Sequence, residues 1–305
     1  MTRIFPSFPV LLCVLCASVV HFLVFSPSYA SPGRWEKDLS GKGWSLKLDR
    51  AADWKNDRAI LPPVDLAKVP VNPPTGGWDA LDRMEGRAVS VPGTVEGHFW
   101  GANGNPVGIA GDYRGVSWWS TTFDLDPELE GKRITLRIGS ANLRAEVFLN
   151  RRLCGYDVIG NTPFEIDITA AARFDAPNRL DIRITDPVGN FTWEDNDLCR
   201  WGPNMVPAVH GFGGVTGKVS VRATDAVRID DVYVENKPSV TDADITVTME
   251  NSAGKAVSGN LRVKVCEWRN PGAVLFDRTI PATVPAGGKV FTVKVRAPKA
   301  KHWAI

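Results

Sequence analysis

The feature that most constrains this 305-residue chain is a strict two-residue alternation. In residues 159–169, IGNTPFEIDIT, Phe164, Ile166 and Ile168 share one phase, and Glu165, Asp167 and Thr169 take the other. Successive side chains of a β-strand point to opposite faces, so such a segment has one apolar face and one polar face. The same pattern recurs at Ile134, Leu136 and Ile138, at Leu180, Ile182 and Ile184, and at Ile245, Val247 and Met249. It returns at Leu261, Val263 and Val265 and at Phe291, Val293 and Val295. No comparably long stretch sustains a 3.6-residue period. With 28 Gly and 22 Pro punctuating these runs, the chain reads as all-β. Its strands are half-buried and belong to packed antiparallel sheets, as in sandwiches and jelly rolls.

Residues 1–30 read as a cleaved export signal. Arg3 is the only charge, an apolar run follows from Val10 to Phe25, and Ser28-Tyr29-Ala30 ends it with small residues at the cleavage positions. The run is shorter than the ~20 apolar residues a spanning helix needs, and His21 interrupts it. The expected location is therefore periplasmic or extracellular. A boundary falls near 224–227, where GKVSVRA ends in Thr-Asp and Val227-Arg228-Ile229 opens a new run. Beyond it only Trp268 and Trp303 remain of eleven tryptophans. The expected domains are 31–225, a larger sandwich, and 226–305, a smaller one. The Pro-rich segment 61–74 (LPPVDLAKVPVNPP) reads as a long loop with a function or with mobility.

The formal net charge is +2. So even a balance points to neither nucleic acid nor an anionic membrane. Cys13 and Cys16 lie in the leader, and Cys154, Cys199 and Cys266 show neither CxxC spacing nor His partners at zinc-like intervals. In an oxidising compartment Cys154 and Cys199 could pair. Cys266 falls on the outward phase of its strand, which makes it an exposed thiol or an interface residue.

Several segments match one family in order. They are WWSTTFDLDPEL (118–129), RITLRIGSANLRAEVFLNRRLCGYD (133–157), TPFEIDIT (162–169) and NRLDIRITDP (178–187), then HGFGGVTGKVSVRA (210–223) and VRIDDVYVEN (227–236). In combination they resemble the N-terminal part of glycoside hydrolase family 2, the family of β-galactosidases, β-glucuronidases and β-mannosidases. The resemblance covers most of residues 40–303. It implies a sugar-binding, galactose-binding-like jelly roll followed by an immunoglobulin-like sandwich, with carbohydrate as the partner and no cofactor. At the family's Asn-Gly hairpin this chain has Asn150-Arg151. A type I′ turn prefers Gly there, so a longer turn or another type is expected.

The family's catalysis resides in two glutamates of a barrel that follows the second sandwich. Retaining hydrolysis needs two carboxyl groups ~5–5.5 Å apart. No Asn-Glu pair occurs here, and the chain stops where Lys301-His302-Trp303 resembles the lead-in to the second domain's last strand. The expectation is a smaller sandwich short of its closing strand, a barrel that is missing or separately encoded, no catalytic residue in this chain, and an edge that could support a homo-oligomer. The rival readings are a free-standing carbohydrate-binding module and a structural surface protein.

Sugars bind on aromatic faces flanked by groups that reach hydroxyls. The densest such region is 191–214, FTWEDNDLCRWGPNMVPAVHGFGG, which offers Trp193, Glu194, Asp195, Trp201, Asn204 and His210. A second, GHFWGANGN (97–105), offers Trp100 and Asn103 beside His98. Neither alternates, so both read as loops, where function concentrates. Trp193 and Trp201 could equally plug the sandwich end, and His210 could hold a turn. Asp195-Asn196-Asp197 reads as a polar turn more readily than as a calcium site, so no metal is expected. Of Trp118 and Trp119, one must face the core.

Overall fold

A computed structural model describes residues 7–8, 11–13, 18–21, 34–54, 60–99, 113–187, 199–201, 204–206 and 212–300. For 7–21 and 199–206 it describes the backbone alone. The fold is all-β and divides into two compact units. One comprises Glu36–Glu130 and Ile134–Ala223; the other is built on Thr224–Ile305, with Met1–Trp35 and Gly131–Arg133 grouped to it.

The first unit is a jelly-roll sandwich. Its strands are β1 (Arg34–Asp38), β2 (Gly41–Asp49), β3 (Arg87–Val91), β4 (Gly115–Phe123), β5 (Arg133–Ile138), β6 (Arg144–Leu149), β7 (Arg152–Asp157), β8 (Phe164–Asp167), β9 (Asn178–Asp186) and β10 (Val219–Thr224). Six of them form a sheet in the order β7-β6-β9-β4-β2-β3, and four form a second in the order β8-β5-β10-β1. The opening stretch is the edge strand β8, antiparallel to β5, with Ile166 opposite Leu136. Ile166 is buried and Glu165 exposed, where it pairs with Arg222 at 2.8 Å.

Register shows how the core is built. One row across the six-stranded sheet reads Leu46, Trp119, Ile182, Val147. All four are at most 1% exposed, and they supply the apolar inner face. The next row, on the opposite face, reads Lys47, Trp118, Arg183, Glu146. The alternation predicts water on that side. Instead Trp118, Arg183 and Glu146 are all buried, because residues 60–84 lie across the face.

This strap is the Pro-rich segment with its continuation. It carries a turn of 3-10 helix, Leu66–Lys68, capped by Asp65, and a short helix α1, Trp78–Arg83. Five of its fourteen residues from 61 to 74 are proline. Proline holds the chain extended and brings no N–H that a sheet face would leave unpaired. Leu81 and Trp78 pack on Val116, Trp118 and Phe148, and Val69, Val64 and Leu66 on Leu143, Tyr156 and Val158. Trp118 and Trp119 are thus both at 0% exposure, one under the strap and one in the sandwich core.

The β6–β7 hairpin corrects the turn expected from the sequence. Leu149 pairs with Arg152, so the loop has two residues, and Asn150 and Arg151 both take positive φ, 52° and 69°. That is the I′ pattern without glycine. Long-range bonds hold it. Asn150 Nδ2 donates to the Ala171 carbonyl at 2.8 Å, and Asn150 Oδ1 accepts from the Arg179 amide at 3.0 Å. Arg151 pairs with Asp82 at 3.0 Å.

The second unit has strands β11 (Val227–Asn236), β12 (Asp242–Asn251), β13 (Val257–Glu267), β14 (Asn270–Val284) and β15 (Lys289–Arg296). The order β11-β12-β15 makes one sheet, and β13 pairs β14 in another. Ile245, Val247, Leu261, Val263, Val284 and Val293 fill the space between them, an immunoglobulin-like arrangement. Backbone segments Ser7–Phe8, Leu11–Cys13 and Ser18–His21 add short strands to the β13 sheet. Cys266, expected outward, is buried. Register shifts at Val265/Cys266 and Cys266/Glu267 break the alternation there and turn it inward. Cys154 is a free thiol, donating to the Arg152 carbonyl at 3.3 Å, rather than half of a bridge to Cys199. Burial raises its pKa.

Candidate functional site

The strands of the six-stranded sheet end together on one side. Asp186, the last residue of β9, lies opposite Gly115, the first of β4. Val116 lies opposite Asp49, the last of β2, and Thr185 opposite Arg144, the first of β6. A short helix α2, Val95–Phe99, closes this end. Thr94 starts it, its hydroxyl accepting from the Gly97 amide at 3.0 Å.

The glycine-rich HGFGG segment is explained by close backbone approach. Gly93 N donates to Val215 O, and Val95 N to Gly213 O, both at 2.8 Å. On its other side Gly214 exchanges two 2.9 Å bonds with the Asn142 backbone. A Cβ on Gly214 would stand 2.5 Å from Gly93 O, and one on Gly213 would stand 2.7 Å from the Asp186 side chain. Neither position has room for a side chain.

Both candidate loops spring from this end. The 97–105 stretch leaves through α2, and the chain returns at Tyr113 beside β4. The 191–214 stretch follows β9 and returns at Phe212. Their described stems touch: Val95 bonds Gly213, and Asp186 pairs with Gly115. Two aromatic and polar stretches, about ninety residues apart in sequence, therefore leave the scaffold side by side. Trp193, Glu194, Asp195, His210, Trp100 and Asn103 lie outside the described residues. Trp201 and Asn204 face each other in register across the hairpin Cys199–Trp201 with Asn204–Val206, which makes part of that loop a strand pair.

The described floor carries groups that the sequence did not mark. Glu96 is 1% exposed, and its Oε1 accepts from the Tyr113 amide at 3.2 Å. Tyr113 donates its hydroxyl to Val116 O at 2.7 Å. Burial, helped by the negative fields of Asp49, Asp186 and Glu96 against Arg50, drives the Tyr113 pKa far up, so the phenol stays neutral. His98 is anchored rather than free. Its Nε2 donates to Ser90 O at 2.9 Å, its ring lies 5.7 Å from Trp119, and burial lowers its pKa. No alternation or spacing marks Glu96, Tyr113 and Asp186 as neighbours; the Tyr113 amide bond to Glu96 and the pairing of Asp186 with Gly115 bring them together. All three are buried, at 1%, 8% and 3% exposure, and the Glu96 and Tyr113 bonds tie the α2 end to β4. Among the described residues no cluster has metal-binding composition.

No family model matches the chain. It is 29% identical over 151 residues to a β-galactosidase of Thermoanaerobacter pseudethanolicus, which is 48% of this chain and 19% of that protein. It is 27% identical over 139 residues to a β-glucuronidase of Bacteroides fragilis, 46% of this chain and 18% of that protein. Among solved structures, Bacteroides uniformis β-glucuronidase superposes with a TM-score of 0.59 at 17% identity, over 87% of this chain and 28% of that one. A glycosyl hydrolase family 2 member from Bacteroides cellulosilyticus gives 0.57 at 15% identity, over 87% and 32%. The alignments thus take in about a fifth of these curated relatives' length and about a third of these solved chains. The resemblance to the sandwich domains of glycoside hydrolase family 2 is borne out.

Proposed function

From this kinship with glycoside hydrolase family 2, we infer that the chain is the carbohydrate-recognising N-terminal portion of a secreted family 2 glycosidase, itself without catalytic residues. The observation that carries the reading is the convergence of the two loop stems at one end of the jelly roll, over the floor of Glu96, Tyr113 and Asp186. Aromatic platforms on such loops would stack on a sugar ring, and the polar groups among them would bond its hydroxyls. Hydrolysis would be supplied by a barrel. The leader reading of residues 1–30 would take the protein to the periplasm or outside the cell.

The test is titration calorimetry of the full chain with galactose, glucuronate and their short oligosaccharides. Weak binding that Trp193→Ala or Trp201→Ala abolishes, with unchanged melting, supports the reading. Binding unaffected by both substitutions, or none at millimolar sugar, would reject it. The same preparation should leave nitrophenyl β-glycosides intact. Turnover that survives rigorous purification would place a carboxylate pair within this chain.

A further inference from the structure

The two edges of β13 are filled differently. Along one, β14 pairs with it from Val257 to Glu267. Along the other, its partners are short segments of the apolar leader. Ser7–Phe8 lies parallel at Asn260 and Leu261, and Ser18 and Val19 lie antiparallel at Glu267 and Cys266. Leu11–Cys13 pairs in turn with Ser18–His21 and carries the sheet one strand further. Both leader segments share the second edge, because β14 holds the first over the whole length.

Residue types make β13 and β14 unlike. β14 carries Pro271 and Pro281, the residue that natural sheets tolerate on an edge strand. β13, VSGNLRVKVCE, has no proline. Every residue of it brings an N–H and a C=O, and those turned away from β14 need another partner. Burial of Leu261 and Val263 at 0% exposure fixes which row the strand presents. Arg262 and Lys264 alternate with them and so stand on the outer face, where Arg262 pairs with Asp277. Segment 7–21, SFPVLLCVLCASVVH, carries no Asp, Glu, Lys or Arg and is rich in valine, which suits a strand. We propose that this leader segment is the occupant of the second β13 edge in the unprocessed chain. It closes that edge within the molecule and keeps it from pairing with another chain. The inference does not rest on sugar binding by the first unit.

Register supplies the test, on the full chain. Val19 faces Cys266, and facing residues of an antiparallel pair stand about 4.5–5.5 Å apart at Cα. A disulfide spans about 4.4–6.8 Å. With Cys13, Cys16, Cys154 and Cys199 replaced by Ser, Val19→Cys should bridge to the native Cys266 on mild oxidation, within one molecule, and peptide masses identify the bond. His21→Cys, two residues along the same strand and roughly 8 Å away, should not. Val19→Pro, with every cysteine kept, should remove the pairing. Hydrogen exchange over residues 257–267 should then quicken about tenfold while 242–251 keeps its protection, and the variant should associate at concentrations where the unaltered chain is monomeric. A bridge formed between two molecules would overturn the proposal by putting a second copy's leader on the edge. So would bridging by Val19→Cys and His21→Cys alike or by neither, exchange over 257–267 indifferent to Val19→Pro, or a Val19→Pro chain that stays monomeric.

Discussion

The strand LDIRITD of the first unit and the strand DITVTME of the second alternate alike, yet their polar faces meet opposite fates. Asp181 and Arg183 are at most 2% exposed, beneath the strap. Thr246 and Thr248, on β12, remain partly open to water. Alternation records that a strand has two unlike faces. It does not record what lies on the polar one. In the first unit the strap is bound through that polarity. Asn72 Nδ2 donates to Glu146 Oε1 at 2.8 Å, the Thr75 amide to Asp49 Oδ2 at 3.0 Å, and Lys47 Nζ to Leu81 O at 2.7 Å. Polar residues on the covered face select this segment, since an unpaired buried group would be costly.

The contrast is broken most severely at Glu146. This residue sits between two guanidinium groups, with Arg144 at 3.2 Å and Arg183 at 2.5 Å. Glu146→Ala would take from two buried guanidinium groups the carboxylate they share and cost about 3–5 kcal/mol. Thr248→Ala on the corresponding face of the second unit should stay within about 0.5 kcal/mol. Urea unfolding followed by hydrogen exchange resolved to each unit measures both. Equal effects would mean that the strap is dispensable.

A smaller loss is expected from the strap's apolar anchor. Leu81 is fully buried against Trp118 and Phe148, so Leu81→Ala should cost about 3 kcal/mol. Val290, 56% exposed, should tolerate Ala with almost no change. A cost below 1 kcal/mol for Leu81→Ala would show the strap to be loosely laid.

What could be read in advance follows from how local the cause is. The strand at Phe164–Asp167, its inward Ile166 and outward Glu165 need only the period and were legible. The strap was not, because an extended Pro-rich segment has no period, and its bonds span large separations, 74 residues for Asn72 with Glu146. Cys266 is buried against its phase because a bulge shifts phase without any mark in residue type. The positive-φ turn at Asn150-Arg151 has no local mark, because Ala171 and Arg179, which stabilise it, lie far along the chain. Of the two stretches read as loops, 97–99 is helix and 199–206 holds a strand pair, and most of the rest lies outside the described residues. The shared origin of their stems, and the Glu96–Tyr113–Asp186 group, depend on strand register and on one side-chain bond between distant segments.

The turns sharpen the comparison at about 2 kcal/mol. The first unit reaches positive φ with Asn150 and Arg151. The second does so with Gly287 and Gly288 at 91° and 132°. Asn150→Ala removes side-chain bonds to Ala171, Asn178 and Arg179 and should cost about 2 kcal/mol. Arg151→Gly relieves the backbone and loses exposed ion pairs to Asp79 and Asp82, so it should be neutral to within about 1 kcal/mol. Gly288→Ala should cost about 2 kcal/mol, because its Cβ would meet Met249 O at 2.4 Å. If Gly288→Ala were silent and Arg151→Gly severe, the two turns would have been assigned the wrong supports.

The smallest effect is a pH response of the first unit, in which His98 lies. Burial lowers the His98 pKa, with Arg87 adding to it and the Ser90 carbonyl opposing. The unfolded chain therefore takes up a proton near pH 6.5, where the native site still declines it. Stability from this residue is fully present above ~6.5 and falls as the pH drops toward the folded value. Paired carboxylates cannot mimic this. Asp82 and Asp277 are held below their ordinary values by Arg179 and Arg262 respectively, so their losses come at lower pH and in both units. Urea midpoints at pH 7.5 and 5.5 should thus decline slightly for the first unit, and His98→Gln should flatten that decline. A decline that survives His98→Gln would move the pH response away from the α2 end of the jelly roll.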